Sequence, residues 1–390
     1  MKKVLILSSK SPYPLRDGAA IRTHQSIRLI AELGYSVDVL YLSENDDLTE
    51  VKKGLEPYCQ NVYSFVMTKR ESYINVLIGL MTNLLPLQVN YFYSRKVRKW
   101  INRNASRYDI VYCNNIRTAR YARGLSNEVI LDYVDAYSMN YQAARDNIKG
   151  LWHWIYAIDY VRCNKFEQQL LQEFNKFLII SDIDRTFILT RAKKPAKISV
   201  IENYTTIDET KRIEQNNTSL KLVFVGAMNY EPNVTAVCYF CKWVLPSLIE
   251  RYPGIVFYIV GKTPTNQVLE LANEHVVVTG FVDSVWDYLK DATLVVTPMQ
   301  SGSGLQNKIL QALAVGACVV TTPKGFEGLI ADDGQPYVVN NSAEMIKVIS
   351  RLIDHPEERQ SSGEKAISYV KRHYAREVIK EKFAKLLLEK

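Results

Sequence analysis

The sequence predicts an α/β protein built from two doubly wound, parallel-sheet domains. Three observations carry that expectation. At 390 residues the chain is longer than one ordinary hydrophobic core organises. Apolar runs of strand length alternate with amphipathic helical segments in both halves, as in a sheet assembled from β–α–β units. Between the halves the composition turns polar over residues 205–219, TTIDETKRIEQNNTS, which reads as an inter-domain linker. The expected division is a first domain over 1–204, the linker over 205–219, a second domain over 220–365 and a C-terminal helix over 366–390.

The chain opens β–loop–α–β. Val4–Ser8 is a buried strand, and the stretch SKSPYPLRDGAAIRTHQS leads into a helix over Thr23–Leu33, closed by Gly34. Ser36–Leu42 is the next strand. No G-x-G-x-x-G follows the first strand, so a dinucleotide fingerprint is missing, and the long loop suits the lining of a substrate site. Residues Tyr73–Trp100 are largely helical in pattern. Their apolar and aromatic residues run into Arg95, Lys96, Arg98 and Lys99. Such a stretch can dock on an anionic bilayer, or can be a core helix with a solvated basic end.

Tyr108–Asn114 and Val129–Val134 are further strands, and Asp132, Asp135 and Ser138 cluster after the second of them. Loops at strand C-termini carry chemistry in α/β sheets, although Asp and Ser also serve turns and caps there. A long helix over 151–175 and a strand over Phe177–Ile180 follow. Asp182-Ile-Asp184 is an acidic pair of a kind that can hold a metal, but Ser181 before it is a good N-cap, and the cap is expected. Ile198–Glu202 is a short strand.

The second half restarts with LKLVFVGAMNYEPNV, a strand ending at Gly226 and followed by Asn229, Pro232 and Asn233. Helix Val234–Arg251, strand Ile255–Val260, a helix near Asn266–Ala272, strand Val276–Val278 and helix Val285–Asp291 come next. Then an apolar run, Thr293–Pro298, meets the loop punctuated by Gly302 and Gly304. Helix Leu305–Val315, stopped by Gly316, leads to a second apolar run, Ala317–Thr322. In a parallel sheet this order puts a helix N-terminus, with unpaired N–H groups, at the carboxyl ends of the strands, where it can hold phosphate. Lys308 in the first turn can neutralise charge there. An ordinary buried β–α–β unit with a surface lysine is the other reading. The last helix, Ala366–Lys390, is amphipathic and Lys-rich.

Composition narrows the classes. Hydrophobic residues at 47% and charged residues at 23% are those of a globular protein. The net charge of +8 permits attraction to phosphates, nucleic acid or an anionic membrane and selects none of them. No dense basic arm, zinc-finger or RNA-recognition signature is present, so nucleic acid is not expected as a partner. The pair Cys238-x-x-Cys241 lies in a helical pattern among aromatics, without a second ligand pair, so core packing in a reducing compartment is expected. MKKVLILSS is too short in its apolar run for a signal peptide. Asn75, Asn83, Pro86 and Gln88 interrupt the 73–93 stretch, so a soluble or peripheral protein is expected.

The motifs VFVGAMNYEPNV, YIVGKTP, VTGFVDSVWDYLKDA, VTPMQSGSGLQNKILQALAVGACVVTT and KGFEGL, with LDYVDAYS and RCNKFEQQLLQEFNKFLIISDID in the first half, resemble retaining glycosyltransferase family 4, also called group 1. The subset is that of exosortase- and exopolysaccharide-associated sugar transferases. The resemblance implies a GT-B fold, two Rossmann-like domains facing a cleft, with the C-terminal helix crossing back to the first. It implies a retaining, metal-independent transferase without a cofactor, moving a sugar from a nucleotide-sugar donor to a glycan or lipid-linked acceptor. It implies polysaccharide or glycoconjugate synthesis, while the cysteines fit the cytoplasm and the basic aromatic segment 73–100 fits peripheral contact with the inner face of an anionic membrane.

The resemblance also implies roles. Gly226 lets backbone approach the donor diphosphate. Gly302, Ser303 and Gly304, with the amides opening the helix at Leu305 and Asn307, lie over the phosphates, and Asn229 joins the donor set. Lys308, and Arg22 from the first domain, face the leaving phosphate. Phe281 and Val282 hold the base. The first-loop glycine pair reads Gly18-Ala19. Gln311 stands where relatives carry a ribose-binding Glu, which turns a charge-assisted bond into an ordinary one. The acid that relatives keep in the glycine loop is missing, with Ser303 at its place. Asp135 is nearest to the first-domain catalytic position. Two other functions stay open: a catalytically weak nucleotide- or glycan-binding assembly partner, and a sugar-nucleotide epimerase, for which only His24 is suitably placed.

Overall fold

The computed structural model describes residues 1–389 apart from 16, 45–47, 148, 208–219 and 303. Most of the expected linker, and Ser303, therefore lie outside the described residues. The chain divides into two compact units, Met1–Asn203 with Lys380–Lys390, and Tyr204–Ile379.

The first unit holds strands β1 (Lys3–Ser8), β2 (Ser36–Ser43), β3 (Asn61–Val66), β4 (Ile110–Asn114), β5 (Glu128–Asp132), β6 (Lys176–Ile179) and β7 (Ser199–Val200). They pair in the order β3-β2-β1-β4-β5-β6-β7, every pair parallel. The second unit holds β8 (Leu220–Val225), β9 (Ile255–Val260), β10 (Val276–Gly280), β11 (Leu294–Thr297), β12 (Val319–Thr321) and β13 (Tyr337–Val338). Its order is β10-β9-β8-β11-β12-β13, again all parallel. Counted from each unit's first strand, both sheets share the order 3-2-1-4-5-6 of the doubly wound Rossmann arrangement, and the first adds a seventh strand at its edge. β1 from Val4 on and all of β11 are buried, so they read as near-continuous apolar runs instead of alternating ones. Each sheet has its own core, the first including Leu5, Val111 and Leu131, the second Phe224, Val296 and Val320.

Several helices differ from their expected bounds. The first spans Gly18–Glu32, because the Asp17 carboxylate accepts from Ala20 N at 2.9 Å and starts the helix early. Gly18 and Arg22 therefore ride a helix and not a loop. The 73–100 stretch is three helices, Lys69–Thr82, Leu87–Tyr91 and Arg95–Asn104, with Pro86 separating the first two. The expected helix Val234–Arg251 is two, Glu231–Trp243 and Leu245–Arg251, divided just before Pro246. The single C-terminal helix is also two, Pro356–His373 and Arg376–Leu388. The break falls at buried Tyr374, whose hydroxyl accepts from Ile330 N at 2.9 Å. The end of the last helix belongs to the first unit, where Phe383 stacks on Tyr112 at 6.3 Å and Lys382 pairs with Glu202 at 2.6 Å.

Ser181 caps the helix Asp182–Leu189, accepting from Asp184 N at 3.2 Å. All six cysteines are free, and burial pushes the Cys241 thiol up to about 12, far from a redox-active thiolate.

Candidate functional site

In a doubly wound sheet the crevice outside the strand carboxyl ends opens where the strand order reverses. In the second unit that point lies between β8 and β11. Two helices start there, Glu231–Trp243 after β8 and Asn307–Ala314 after β11, and neither N-terminus receives a side-chain cap. Gly302 (φ 112°) and Gly304 (φ 71°) give the connecting loop left-handed turns that a residue with a Cβ resists. A Cβ on Gly302 would meet Pro232 at 3.5 Å, so the loop lies against the start of the first of these helices. The Ser301 hydroxyl reaches Glu231 Oε2 at 3.3 Å.

Lys308 is the cation of this site. Its Nζ donates to Asn233 Oδ1 at 2.5 Å, lies 3.5 Å from Met299 Sδ and stands 5.0 Å from the Phe224 ring centroid. Among the described residues it has no carboxylate partner. Burial therefore works unopposed and lowers the amine to about 7. Asn233 is oriented by its other end, donating to the Ala227 carbonyl at 2.9 Å. A Cβ on Gly226 would come within 2.6 Å of that amide, so the glycine makes room for the asparagine that holds the lysine. Gly261 in turn makes room for Gly226, whose carbonyl oxygen would lie 1.7 Å from a Cβ there.

The other expected donor residues lie in the same unit. Leu305 is buried, and Asn307 and Gln311 are half-buried on or beside the Lys308 helix. The Gln311 amide makes no hydrogen bond among the described residues. Asn229 is exposed in the turn after β8. Phe281 follows β10 and is 74% exposed, with Val282 half-buried beside it.

The first unit carries a different constellation. Arg22, expected to face the leaving phosphate, is 2% exposed, with Nε on Asp132 Oδ2 at 2.7 Å. Burial opposes its charge, but Asp132 and Tyr112 outweigh burial and raise its pKa. Asp132 also accepts from the Tyr112 hydroxyl at 2.6 Å and from Val134 N at 3.0 Å. Val134 sits at φ 64°, a left-handed conformation that is costly for a β-branched residue. That turn presents the half-buried Asp135 at the carboxyl end of β5. Burial, then the neighbouring Asp184 and Asp132, push the Asp135 carboxyl up to about 7. Asp184 accepts from Ala136 N at 2.8 Å and from the Ser181 hydroxyl. Glu167 accepts from Ser138 N at 3.1 Å, and burial pushes it up to about 7 as well. His24 lies between the Tyr13 and Tyr58 rings, with its imidazole lowered by burial and by Arg28, so it is packed as an aromatic.

The sequence did not single out Asn233, Glu231, Asp184 or Glu167 as site residues. Asn233 was visible beside Pro232, but its tie to Lys308 spans two helices far apart in the chain. Asp184 read as an acidic first-turn residue behind the Ser181 cap.

Residues 219–355 match the family described as "Glycosyl transferases group 1". Over 355 residues the chain is 24% identical to an "Uncharacterized 44.6 kDa protein in cps region" of Klebsiella pneumoniae, covering 87% of this chain and 88% of that protein. Sucrose-phosphate synthase of Thermosynechococcus elongatus superposes with a TM-score of 0.73 at 13% identity, covering 99% of this chain and 98% of that one. HepE of Anabaena, solved in complex with UDP, superposes with a TM-score of 0.69 at 14% identity, covering 99% of both chains. The fold is that of the GT-B glycosyltransferases.

Proposed function

We propose that the protein is a retaining, metal-independent glycosyltransferase of family 4 type. It transfers a sugar from a nucleotide-sugar donor to a hydroxyl of a glycan or lipid-linked acceptor in cell-surface polysaccharide synthesis. The observation that carries this reading is Lys308, a cation without an acidic partner among the described residues, beside two helix starts whose N-cap residues make no side-chain capping bond. Such a site favours a diphosphate, because its N–H groups and its amine all gain from one anion. In the reaction the same groups hold the charge that develops on the departing diphosphate. Phe281 offers an exposed ring for the base, and Glu231 brings a carboxylate to the glycine loop, suited to a sugar hydroxyl. In the first unit Asp135 is the acid–base candidate, and Arg22 acts on it through Asp132. A cytoplasmic protein at the inner membrane face, with an acceptor carried on lipid, is part of this proposal.

The UDP complex of HepE makes UDP and UDP-sugars the first probes. A thermal-shift panel of UDP-, GDP- and ADP-sugars is expected to show one stabilising nucleotide, because stabilisation tracks affinity. No stabilisation together with no donor hydrolysis or transfer would overturn the reading. Gln311 favours a second one, a nucleotide-binding partner with weak catalysis. A tenfold or larger gain in donor affinity from Gln311→Glu, about 1.4 kcal/mol, would favour that second reading, and no gain an adapted enzyme.

A further inference from the structure

The helix Lys69–Thr82 carries its polarity the wrong way round for the surface of a water-soluble fold. Its buried positions are Ser72 and Gly79. Gly79 packs on the Asn90 side chain so closely that a Cβ would lie 2.3 Å from it. On the inward side the Asn75 amide donates to the Tyr93 carbonyl at 2.7 Å. The outward side is apolar. Tyr73 is 63% exposed, Leu77 63%, Met81 88%, and Leu84 in the turn that follows 64%. With Ile74, Ile78 and Leu80, the helix residues span an arc of about 160° at the α-helical repeat. A surface helix normally turns such an arc to the core, and an exposed one marks an interaction site.

Charge identifies the occupant. No Asp or Glu occurs between Glu71 and Asp109, whereas six Arg and Lys residues do, from Arg95 to Arg107. The one acid on the helix, Glu71, is committed to its capping box, accepting from Thr68 N at 2.9 Å. Lys69 and Arg70 are exposed at the helix start, as are Arg95, Lys96, Lys99 and Arg103 on the helix Arg95–Asn104. That cationic helix begins two residues after Tyr93, whose carbonyl accepts from Asn75, so its start is tied close to the helix that carries the apolar arc. A broad apolar arc in a stretch with exposed cations and no uncommitted acid matches a fluid apolar phase under anionic headgroups. The helix is too short to span: no helix among the described residues is long and apolar enough to cross a membrane.

A second element has the same character. Helix Leu151–Glu173 exposes Trp154 (67%), Ile158 (53%) and Val161 (61%) on one stripe, continued by exposed Lys165. Its Asp159 accepts from Leu87 N at 2.8 Å, which fixes the turn after the inverted helix to this helix.

We propose that the helix Lys69–Thr82 docks the first unit on an anionic lipid surface. It lies half-sunk in the interface, with Lys69, Arg70 and the 95–103 cations against the headgroups. This inference stands on the first unit alone and does not depend on the transferase reading. Flotation with vesicles of phosphatidylglycerol and phosphatidylcholine (1:1), and of phosphatidylcholine alone, tests it on the full chain. Wild type is expected to float with the anionic vesicles and to be released by high salt. L77D/M81D is expected to lower the bound fraction about tenfold or more. R95A/K96A is expected to lower partitioning about 30-fold, from roughly 1 kcal/mol per cation near the surface. Unchanged melting of both variants excludes misfolding, and their UDP response, read separately, reports on the second unit. Absence of wild-type flotation, or flotation of L77D/M81D equal to wild type, would overturn the proposal. So would a dimer in sedimentation that L77D/M81D converts to monomer, which would assign the arc to a second copy of the chain.

Discussion

At the switch point of the first unit the chain closes its own helix N-termini; at that of the second it does not. Both sheets have the same strand order, so the two points are topological equivalents. After β1, Asp17 caps the helix Gly18–Glu32, and after β4, Asn115 caps Ile116–Ala122 through Arg117 N at 3.0 Å. After β8 and β11 the corresponding helices have no side-chain cap. The charges differ in the same sense. The first unit pairs a buried arginine with Asp132, with Asp135 and Asp184 close by, whereas the second places a lysine without a carboxylate partner, among the described residues, against an asparagine amide. One fold element thus serves two purposes. A helix end whose N–H groups are satisfied internally supports a preformed acid network, and an end left open suits an incoming anion.

The comparison can be broken most severely in the first unit. Asp132→Ala should leave the Arg22 guanidinium buried without its carboxylate and cost about 3–5 kcal/mol. Urea denaturation measures this, and a loss below about 1 kcal/mol would show that the pair does not hold that switch point together. In the second unit, Lys308→Met should weaken UDP binding by about 2 kcal/mol, roughly 30-fold. Calorimetry with unchanged melting would separate that loss from unfolding, and undiminished affinity would remove the lysine from the site.

Smaller effects sharpen the contrast between the caps. Asp17→Ala should cost about 1 kcal/mol of stability and leave UDP affinity unchanged. Gln306→Asp, which supplies a carboxylate cap to the open helix, should add up to about 1 kcal/mol of stability while weakening UDP. If both variants behave alike toward UDP, the two helix ends are not used differently.

The smallest expected effect is in pH. Lys308 has a folded pKa near 7, below its usual 10.5. Its burial therefore costs stability that grows as pH falls from about 10.5 to about 7 and levels off below that. A bound phosphate reverses the preference, since it stabilises the charged amine. UDP binding near pH 8 should then take up part of a proton, and affinity should fall as pH rises from 7 to 9. Calorimetry in buffers of different ionisation enthalpy reads the proton count, and Lys308→Met should abolish it.

Much of this arrangement was legible in the chain. The strands β1, β8, β11 and β12 are mostly apolar because most of their residues are buried. Gly302 and Gly304 punctuated a loop, and Lys308 was visible in the first turn of the helix that follows. Helix bounds were less legible. Asp17 starts the first helix before its apolar periodicity begins, and the breaks before Pro246 and at Tyr374 depend on local geometry or packing. The role of Gly226 was also hidden. Its missing Cβ reads as room for a ligand, yet the space is taken by Asn233, from a helix several residues on.

By itself the sequence determined what depends on local pattern: two α/β units, their parallel sheets, the glycine loop and the cation at its edge. Those features follow from periodicity and backbone preference over a few residues at a time. Tertiary structure alone decided what depends on groups far apart in the chain. It buried Arg22 against Asp132, set Asp184 and Asp132 close enough to raise Asp135, withheld a carboxylate from Lys308, and turned the apolar arc of Lys69–Thr82 outward. Burial and charge proximity are properties of space, and no spacing along the chain encodes them.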